Sequence, residues 1–387
     1  MNDPLVVHGP LTDTYDFGEH HPLTPRRFGP GIDLLRQTGA RRFFEPTPAS
    51  DAELARLHDP AYVAVVRAFS DDQALPPMAG IGPGDCPAFP RMHTASAAIA
   101  GGSIAAVDLI LAGAEAHVLH PGGGLHHAMA RRASGFCIYN DVALGVARAR
   151  DAGHRVLYVD LDVHHGDGVQ ALFWDDPNVL TLSIHETGDA LFPGSGAVSE
   201  TGGPEAPGTA VNVPLEPYSG DASWLAAVES IVPAVAAAFR PTFLVTQHGC
   251  DSHAYDPLAH LMVTTAAYHR AARLLDGIAH ASCEGRWLAT GGGGYDAYRV
   301  VPRSWALVWL AQAHREVPDS IPEPWRQRWA REGSVHGQTP PPRAYLDPPS
   351  MARPEPDGVE SVNRRAIERA RLSARALLPA AHGDTKS

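Results

Sequence analysis

Short apolar runs rich in valine, leucine and tyrosine alternate along most of this chain with longer alanine-rich stretches. This rhythm predicts βαβ units, in which parallel strands form a sheet that helices cover on both faces. The predicted strands are 117–120, 155–160, 179–184, 243–247 and 286–290. We therefore expect an α/β fold with a central parallel sheet.

Two helices are predicted between these strands. One begins at a cap near Asn140 and Asp141 and stops at Gly153, and the other runs from about Thr264 to Ala279. In an open parallel sheet, ligands bind beyond the carboxyl ends of the strands. We therefore expect the loops that leave the strands to carry the chemistry.

Prolines cluster from Pro318 onward, before a basic amphipathic helical pattern returns over Val362–Leu378. We interpret residues 318–387 as a Pro-rich segment that wraps the surface of a catalytic domain formed by residues 1–317 and ends in a docked helix. A separate interaction module in this segment is the alternative.

Charge and cysteine content limit the classes of partner and compartment. The chain carries 31 Lys and Arg residues against 43 Asp and Glu residues, which argues against nucleic acid and anionic membranes as partners. Its four cysteines form no CxxC pair, so neither a disulfide framework nor a cysteine-rich zinc module is indicated. The sequence has no signal-peptide pattern and no apolar run near the ~20 residues that span a bilayer. We expect a cytoplasmic protein.

The strongest chemical signal directly follows the predicted strand 155–160. There the stretch DLDVHHGD (160–167) packs three carboxylates and two imidazoles into eight residues. Alternate residues of an extended segment point to the same side, so Asp162 and His164 can bind one metal ion, with Asp160 behind them.

A catalytic zinc ion usually has three protein ligands and keeps a fourth position for water, so a further ligand is needed from elsewhere. We expect it in the stretch QHGCDSHAYDP (247–257), which leaves another predicted strand. Asp256 is the preferred candidate, while spacing alone leaves Asp251 and His253 open.

Two further loops carry groups that suit catalysis. The glycines of HPGGGLHH (120–127) let the backbone approach a ligand closely, and the pair His126 and His127 suits acid–base work beside a metal. The run TGGGGY (290–295) ends in Tyr295, whose phenol can donate a hydrogen bond to a developing oxyanion. A solvated histidine pair and a merely packed aromatic ring are the plain alternatives.

Five stretches, taken in order and spacing, resemble the histone deacetylase superfamily, in particular its bacterial branch of acetoin utilization proteins. They are GDCPAF (84–89), PGGGLHHAMARRASGFCIYND (121–141), RVLYVDLDVHHGDGVQALF (155–173), QHGCDSHAYDPLAHL (247–261) and GGGGYDAYRVVPRSW (291–305). The resemblance covers residues from about 15 to 310. It implies a single-domain, three-layer α/β/α fold of the arginase/deacetylase type and zinc-dependent hydrolysis of an acetyl amide.

The resemblance also implies a role for each matching residue in the chemistry. The implied zinc ligands are Asp162, His164 and Asp256. The implied catalytic groups are His127 as general base, His126 as its electrostatic partner, Asp167 and Asp160 as the carboxylates that orient these two histidines, and Tyr295 as the donor to the carbonyl oxygen.

Substrate contacts are implied in the same way. The implied residues are Asp85 at the rim, Phe136 and Phe192 as walls of a tunnel for the lysine methylenes, Gly135 as a backbone acceptor for the amide N–H, Arg27 in an inner cavity behind the metal, and Gly293 and Val263 beside the substrate. Val263 stands where eukaryotic members commonly carry a larger residue, which widens the tunnel or reflects local repacking. A potassium ion is also implied, held in part by Asp160 and Ser183.

The expected substrate is acetyl-lysine in a protein, and the acetoin branch implies acetyl-CoA synthetase as that protein. An acetylpolyamine amidohydrolase that uses the same zinc site is the alternative. A binuclear manganese enzyme of the arginase type needs additional bridging carboxylates, and a non-catalytic binding protein would lack one of the residues named above. The sequence leaves open the choice of zinc or ferrous iron and the oligomeric state.

Overall fold

An eight-stranded sheet forms the centre of the structure, a computed structural model that describes residues 3–375. Its strands, in chain order, are β1 (Leu5–Val7), β2 (Phe43–Phe44), β3 (His117–His120), β4 (Val156–Asp160), β5 (Val179–Glu186), β6 (Ala210–Leu215), β7 (Phe243–Gln247) and β8 (Trp287–Thr290). They lie side by side in the order β2-β1-β3-β8-β7-β4-β5-β6, and every neighbouring pair is parallel. The central parallel sheet expected from the sequence is confirmed.

Helices cover both faces of this sheet. In chain order they are α1 (Phe28–Thr38), α2 (Asp51–Leu54), α3 (Pro60–Asp71), α4 (Met92–Leu111), α5 (Asp141–Asp151), α6 (Asp167–Leu172), α7 (Asp221–Phe239), α8 (Thr265–Cys283), α9 (Val301–Gln312), α10 (Glu323–Val335) and α11 (Val359–Arg375).

The side chains of β4 show how one strand serves two apolar cores. Val156 and Tyr158 pack with residues of α4 and α5 on one face, whereas Leu157 and Val159 pack with residues of α7, α8 and α9 on the other. Because both faces are buried, the strand is a continuous apolar run rather than an alternating one. This arrangement gives the three-layer α/β/α fold that the resemblance implies.

The sequence misses three strands at the edges of the sheet. β1 and β2 are very short, with pairing that extends only over Leu5–Val7 and Phe43–Phe44. β6 contains Pro214, which weakens its strand pattern, but an outer strand tolerates a proline because only one of its sides is paired. The predicted strand bounds elsewhere differ by one or two residues at an end, a usual scatter.

Two helices, α4 and α7, are long and apolar enough to cross a membrane by length and composition. In the structure 72% of the apolar window of α4 and 56% of that of α7 are buried. Both contribute residues to the cores that pack against the sheet. Their burial against the sheet is that of core helices.

The Pro-rich segment contains a helix that the sequence analysis does not predict. α10 begins at Glu323 with Pro324 in its first turn, where proline is tolerated because its missing N–H would have no helical partner. α11 begins at Val359, earlier than predicted, and packs against α7 and β6. The part of the predicted segment beyond residue 375 lies outside the described residues, and the boundary at residue 317 stays a prediction.

Asp347 joins this segment to the rest of the protein. Its carboxylate accepts hydrogen bonds from Arg303 Nη1 at 2.7 Å and from His253 Nε2 at 2.8 Å. It also accepts from the backbone N–H of Thr265 at 3.0 Å and from the hydroxyl of that residue at 2.8 Å. All of these groups are buried, so the ion pair with Arg303 is shielded from water.

We expect Asp347→Asn to lower the free energy of unfolding by about 1.5–3 kcal/mol, because it leaves the buried charge of Arg303 without an anionic partner. Urea unfolding of wild type and variant would measure this change. Asp319→Asn, an exposed carboxylate of the same segment, is the matched control and should leave stability unchanged. Equal stability of all three proteins would contradict the structural importance of the pair.

Candidate active site

The loops that follow β3, β4, β7 and β8 meet at the carboxyl edge of the sheet, because these four strands are neighbours there. The loops that follow β3, β4 and β8 line a cavity together with residues that precede α1. The lining residues are Leu23, Arg27, Gly124, Leu125, His126, His127, Gly135, Phe136, Cys137, Asp162, His164, Gly292, Gly293 and Tyr295. The histidine pair, two of the candidate ligands and the tyrosine thus share one cavity.

Asp162, His164 and Asp251 form the tightest group of potential metal ligands here. One ligand atom from each lies within 4.8 Å of the others. His164 Nδ1 lies 3.1 Å from Asp162 Oδ1 and 3.1 Å from Asp251 Oδ2. Asp251, which spacing leaves open as a ligand, is therefore placed directly beside the two residues of the β4 loop.

Asp256 contacts the loop that carries Tyr295 and is not part of this 4.8 Å group. Its Oδ2 accepts a hydrogen bond from the backbone N–H of Tyr295 at 2.8 Å, and its Oδ1 accepts one from Leu258 at 3.0 Å. Burial, and then the charge of Asp251, raise the pKa of Asp256 well above its ordinary value. The choice between Asp256 and Asp251 as third ligand stays a prediction.

Glycines let these carboxylates come together. A Cβ atom on Gly249 would lie 2.1 Å from Asp162 Oδ2, and one on Gly293 would lie 2.0 Å from Asp251 Oδ2. Asp162 Oδ2 is fixed further by Gln247 Nε2 at 2.7 Å and by the N–H of Gly293 at 2.8 Å. The backbone at Gly249 and at Gly293 thus lies in close contact with the buried carboxylates of Asp162 and Asp251.

The donor set fits a divalent cation. Burial, and then the charge of Asp162, raise the pKa of Asp251 to about 6, as expected for like charges held together away from water. A cation would relieve this repulsion, and carboxylate oxygen with imidazole nitrogen is an ordinary ligand set for zinc.

Each histidine of the pair contacts its own carboxylate. His126 Nδ1 donates to Asp160 Oδ2 at 2.7 Å, and His127 Nδ1 donates to Asp167 Oδ1 at 2.6 Å. The two ring centroids are 4.0 Å apart. These are the pairings that the resemblance implies; they occupy Nδ1 of each ring, and both residues line the cavity.

The two histidines differ in charge. Burial, together with the nearby charge of His126, lowers the pKa of His127 to about 4, so its ring is neutral near neutral pH. Burial also acts to lower the pKa of His126, but the charges of Asp160 and Asp162 outweigh it and raise the value to about 9. The surrounding charges thus favour the neutral form of His127 and the protonated form of His126.

Two phenylalanine rings and a glycine lie beside these groups. Gly135 and Phe136 both have positive φ, at +51° and +66°, and a Cβ on Gly135 would lie 2.4 Å from the His127 ring. The Phe192 ring lies 5.0 Å from that of His127, and the Phe136 ring lies 5.9 Å from that of Tyr295. A Cβ atom at position 135 would thus collide with the rings of His127 and Phe192, and the role of the two phenylalanines as tunnel walls stays a prediction.

Tyr15 holds this strained turn and is missed by the sequence analysis. Its hydroxyl donates to the carbonyl of Phe136 at 2.7 Å and accepts from the N–H of Ile138 at 3.1 Å. Nothing in the local sequence around Tyr15 signals this role, because its partners lie more than a hundred positions away in the chain.

The remaining predicted residues occupy distinct places. Arg27 is buried and donates from Nη1 to the carbonyl of Gly292 at 2.7 Å. Asp85 is exposed, and its carbonyl contacts His21 Nε2 at 3.2 Å, while the His21 ring packs on Phe136. Val263 is fully buried in the core and is not among the cavity-lining residues of the described structure. Its influence on the acyl chain stays a prediction.

Asn140 supports the histidine pair from behind. Besides capping α5, its side-chain amide donates to the carbonyls of His126 and Ala128, at 3.1 and 3.0 Å. His58 Nε2 accepts from the backbone N–H of Asn140 at 3.0 Å, and His58 Nδ1 donates to the carbonyl of Met129 at 3.1 Å. From the sequence, Asn140 is expected only to cap a helix, although it lies within one of the stretches that carry the resemblance.

This geometry makes stability depend on pH through His58. Burial lowers the pKa of His58 to about 4, so the unfolded chain, with a value near 6.5, takes up a proton that the folded protein excludes. The contribution of His58 to the free energy of unfolding is complete above pH 6.5 and is lost as pH falls toward 4. His58→Gln can keep both hydrogen bonds without titrating.

Between pH 7.5 and 5 we therefore expect wild type to lose about 2 kcal/mol more unfolding free energy than His58→Gln. Urea unfolding at the two pH values would measure the difference. His336→Gln, which removes an exposed imidazole, should behave as wild type. Parallel pH profiles for His58→Gln and wild type would contradict the expected role of His58.

The sequence is similar to proteins of one known family. Residues 21–312 match the family model described as the histone deacetylase domain. The chain is 39% identical to the acetoin utilization protein AcuC of Bacillus subtilis (strain 168) over 374 residues, which is 95% of each chain. It is 38% identical to AcuC of Staphylococcus xylosus over 81% of this chain and 84% of that protein.

Solved structures show the same fold. The crystal structure of an HDAC homolog complexed with SAHA superposes with a TM-score of 0.83, at 27% identity over 96% of this chain and 100% of the other. An HDAC homolog from Aquifex aeolicus gives a TM-score of 0.81, at 26% identity over 95% and 99%.

Proposed function

The chain belongs to the histone deacetylase family, and from this premise we propose that it is a zinc-dependent hydrolase of the acetyl amide of acetyl-lysine in proteins. The observation that carries the proposal is the placement of His127, oriented by Asp167 at 2.6 Å, in the same cavity as Asp162, His164 and Tyr295.

We assign the zinc ion to Asp162, His164 and Asp256, with Asp251 beside them. Zinc bound there would act as a Lewis acid on the scissile carbonyl and would lower the pKa of water at the site. Gln247 and the N–H of Gly293 orient the carboxylate of Asp162, and Asp251 contacts His164.

His127 is the proposed general base and acid. Its neutral ring presents Nε2 to the cavity, where it can take a proton from the attacking water and later deliver it to the leaving amine. Asp167 fixes the tautomer by accepting from Nδ1. Asp160 holds Nδ1 of His126, and its negative charge favours the protonated form of that ring, which lies beside the developing negative charge.

Tyr295 is the proposed donor to the oxyanion. Burial, and then the charges of Asp251 and Asp162, raise the pKa of its phenol well above the ordinary value, so the hydroxyl keeps its proton. A protonated phenol in a buried wall can donate a hydrogen bond that strengthens as the carbonyl oxygen gains charge.

The substrate is proposed to enter as an extended lysine side chain. Phe136 and Phe192 supply apolar walls for its methylenes, Gly135 offers a carbonyl to its amide N–H, and Asp85 stands exposed near the entrance. Arg27 and Gly293 line the inner cavity, where acetate would be released.

Two further assignments accompany this proposal. A potassium ion would lie near Asp160 and Ser183, which face each other across β4 and β5. The protein substrate would be an acetylated metabolic enzyme of the cytoplasm such as acetyl-CoA synthetase, in agreement with relatives named for acetoin utilization.

Release of acetate from an acetyl-lysine peptide and from acetylspermidine, measured side by side with zinc restored, tests the proposal. Turnover of the peptide that a hydroxamate inhibits supports it. Preference for acetylspermidine would replace it with an acetylpolyamine amidohydrolase, and no turnover of either would remove the proposed chemistry.

A further inference from the structure

A second group of potential ligands lies at the opposite edge of the sheet from the cavity. It consists of His117, the first residue of β3, Asp276 and His280 on α8, and His314 just after α9. We call these four residues the histidine cluster. One ligand atom from each lies within 4.8 Å of the others.

The separations within the histidine cluster suit a small ion. His280 Nε2 and His314 Nε2 are 3.1 Å apart. Asp276 Oδ1 lies 3.1 Å from His314 Nε2, 3.5 Å from His280 Nε2 and 3.9 Å from His117 Nε2. Ligand atoms about 2.0–2.1 Å from a tetrahedral zinc ion are about 3.3 Å apart, so little movement would be needed to close the set.

His117 supplies an independent observation. Its side chain is 4% exposed, and Nε2 is buried without a hydrogen-bond partner in the described structure. Its Nδ1 contacts the carbonyl of Gln312 at 2.9 Å and so carries the hydrogen. Nε2 therefore carries a lone pair that faces the cluster and accepts no hydrogen bond. In many metal-binding histidines, too, one ring nitrogen donates to a backbone carbonyl while the other binds the metal. An orphaned buried nitrogen of this kind is costly without a ligand.

His314 supplies a third observation. It has φ of +54° directly after the last turn of α9, in the left-handed region where glycine is usual. A histidine there is strained, and the conformation brings its ring to Asp276 and His280.

We propose that the histidine cluster is a structural zinc site that ties β3, α8 and the end of α9 together. Three imidazole nitrogens and one carboxylate oxygen complete a four-coordinate set with no position left for substrate, as in structural rather than catalytic zinc sites. Zinc that binds the folded chain alone would stabilise it.

Titration of metal-free protein with Zn²⁺ against a chelating dye tests the proposal by counting tight equivalents. We expect two per wild-type chain. His280→Gln and His314→Asn, which respect the helix and the left-handed turn, should each reduce the count to one, as should Asp162→Ala in the other site. His336→Gln, an exposed histidine elsewhere, should keep two.

Thermal unfolding gives a readout that does not depend on activity. Added Zn²⁺ should raise the melting temperature of Asp162→Ala but lose that effect when His280→Gln is combined with it. A single equivalent in wild type that His280→Gln and His314→Asn do not alter would overturn the proposal. A single equivalent that Asp162→Ala leaves intact would instead count against zinc in the catalytic cavity.

Discussion

Asp256→Ala is expected to lose one tight equivalent of zinc and all measurable deacetylation. The residue is proposed as the third ligand, and two protein ligands do not hold a catalytic zinc ion. Metal content after dialysis, and acetate release from an acetyl-lysine peptide with zinc in excess, would measure both effects.

Asp251→Ala is the matched comparison. Asp251, and not Asp256, has a ligand atom within 4.8 Å of those of both Asp162 and His164. If Asp251 only orients His164, its loss should weaken zinc affinity by about 10–100-fold while excess zinc restores turnover. The reverse ranking, with Asp256→Ala rescued by zinc and Asp251→Ala dead, would transfer the ligand role to Asp251.

Tyr295→Phe is expected to keep its full zinc content yet to reduce kcat about 10²–10³-fold, because only the hydroxyl that donates to the developing oxyanion is removed. KM should change little, since that hydrogen bond matters most in the transition state. Steady-state kinetics with the peptide, alongside metal analysis, would separate the two effects.

Tyr218→Phe, which removes the hydroxyl of a tyrosine that is 54% exposed and lies outside the cavity, controls for loss of a phenol in general. Turnover of Tyr295→Phe within a few-fold of wild type would exclude this residue from the mechanism. A parallel loss of zinc would show that the loop, and not the hydroxyl, had been damaged.

The sequence predicts the central strands and the polar loops well, for a physical reason. β4 is buried on both faces, so a continuous apolar run ends abruptly in the carboxylates and imidazoles of 160–167. The contacts of His126 and His127 with their carboxylates follow from the resemblance, and the structure has both at hydrogen-bond distance.

Other features depend on contacts between residues that are distant in the chain, which no local sequence pattern indicates. The proximity of Asp251 to His164 depends on how two glycine-containing loops pack in three dimensions. The hold of Tyr15 on Phe136 joins residues from distant parts of the chain. Short outer strands such as β2 contain too few residues to show the alternating hydrophobic pattern of a strand.

The hydrogen bond between the side chains of Asp347 and His253 has a consequence for proteolysis. His253 belongs to the loop that also carries Asp251 and Asp256, so a protease that cuts between α10 and residue 347 would detach the acceptor that holds this loop. The clipped enzyme would still possess every residue that touches substrate. If the fragment that carries Asp347 is released after the cut, we expect the enzyme to lose activity nonetheless, because the loop with Asp251 and Asp256 loses the carboxylate that holds it.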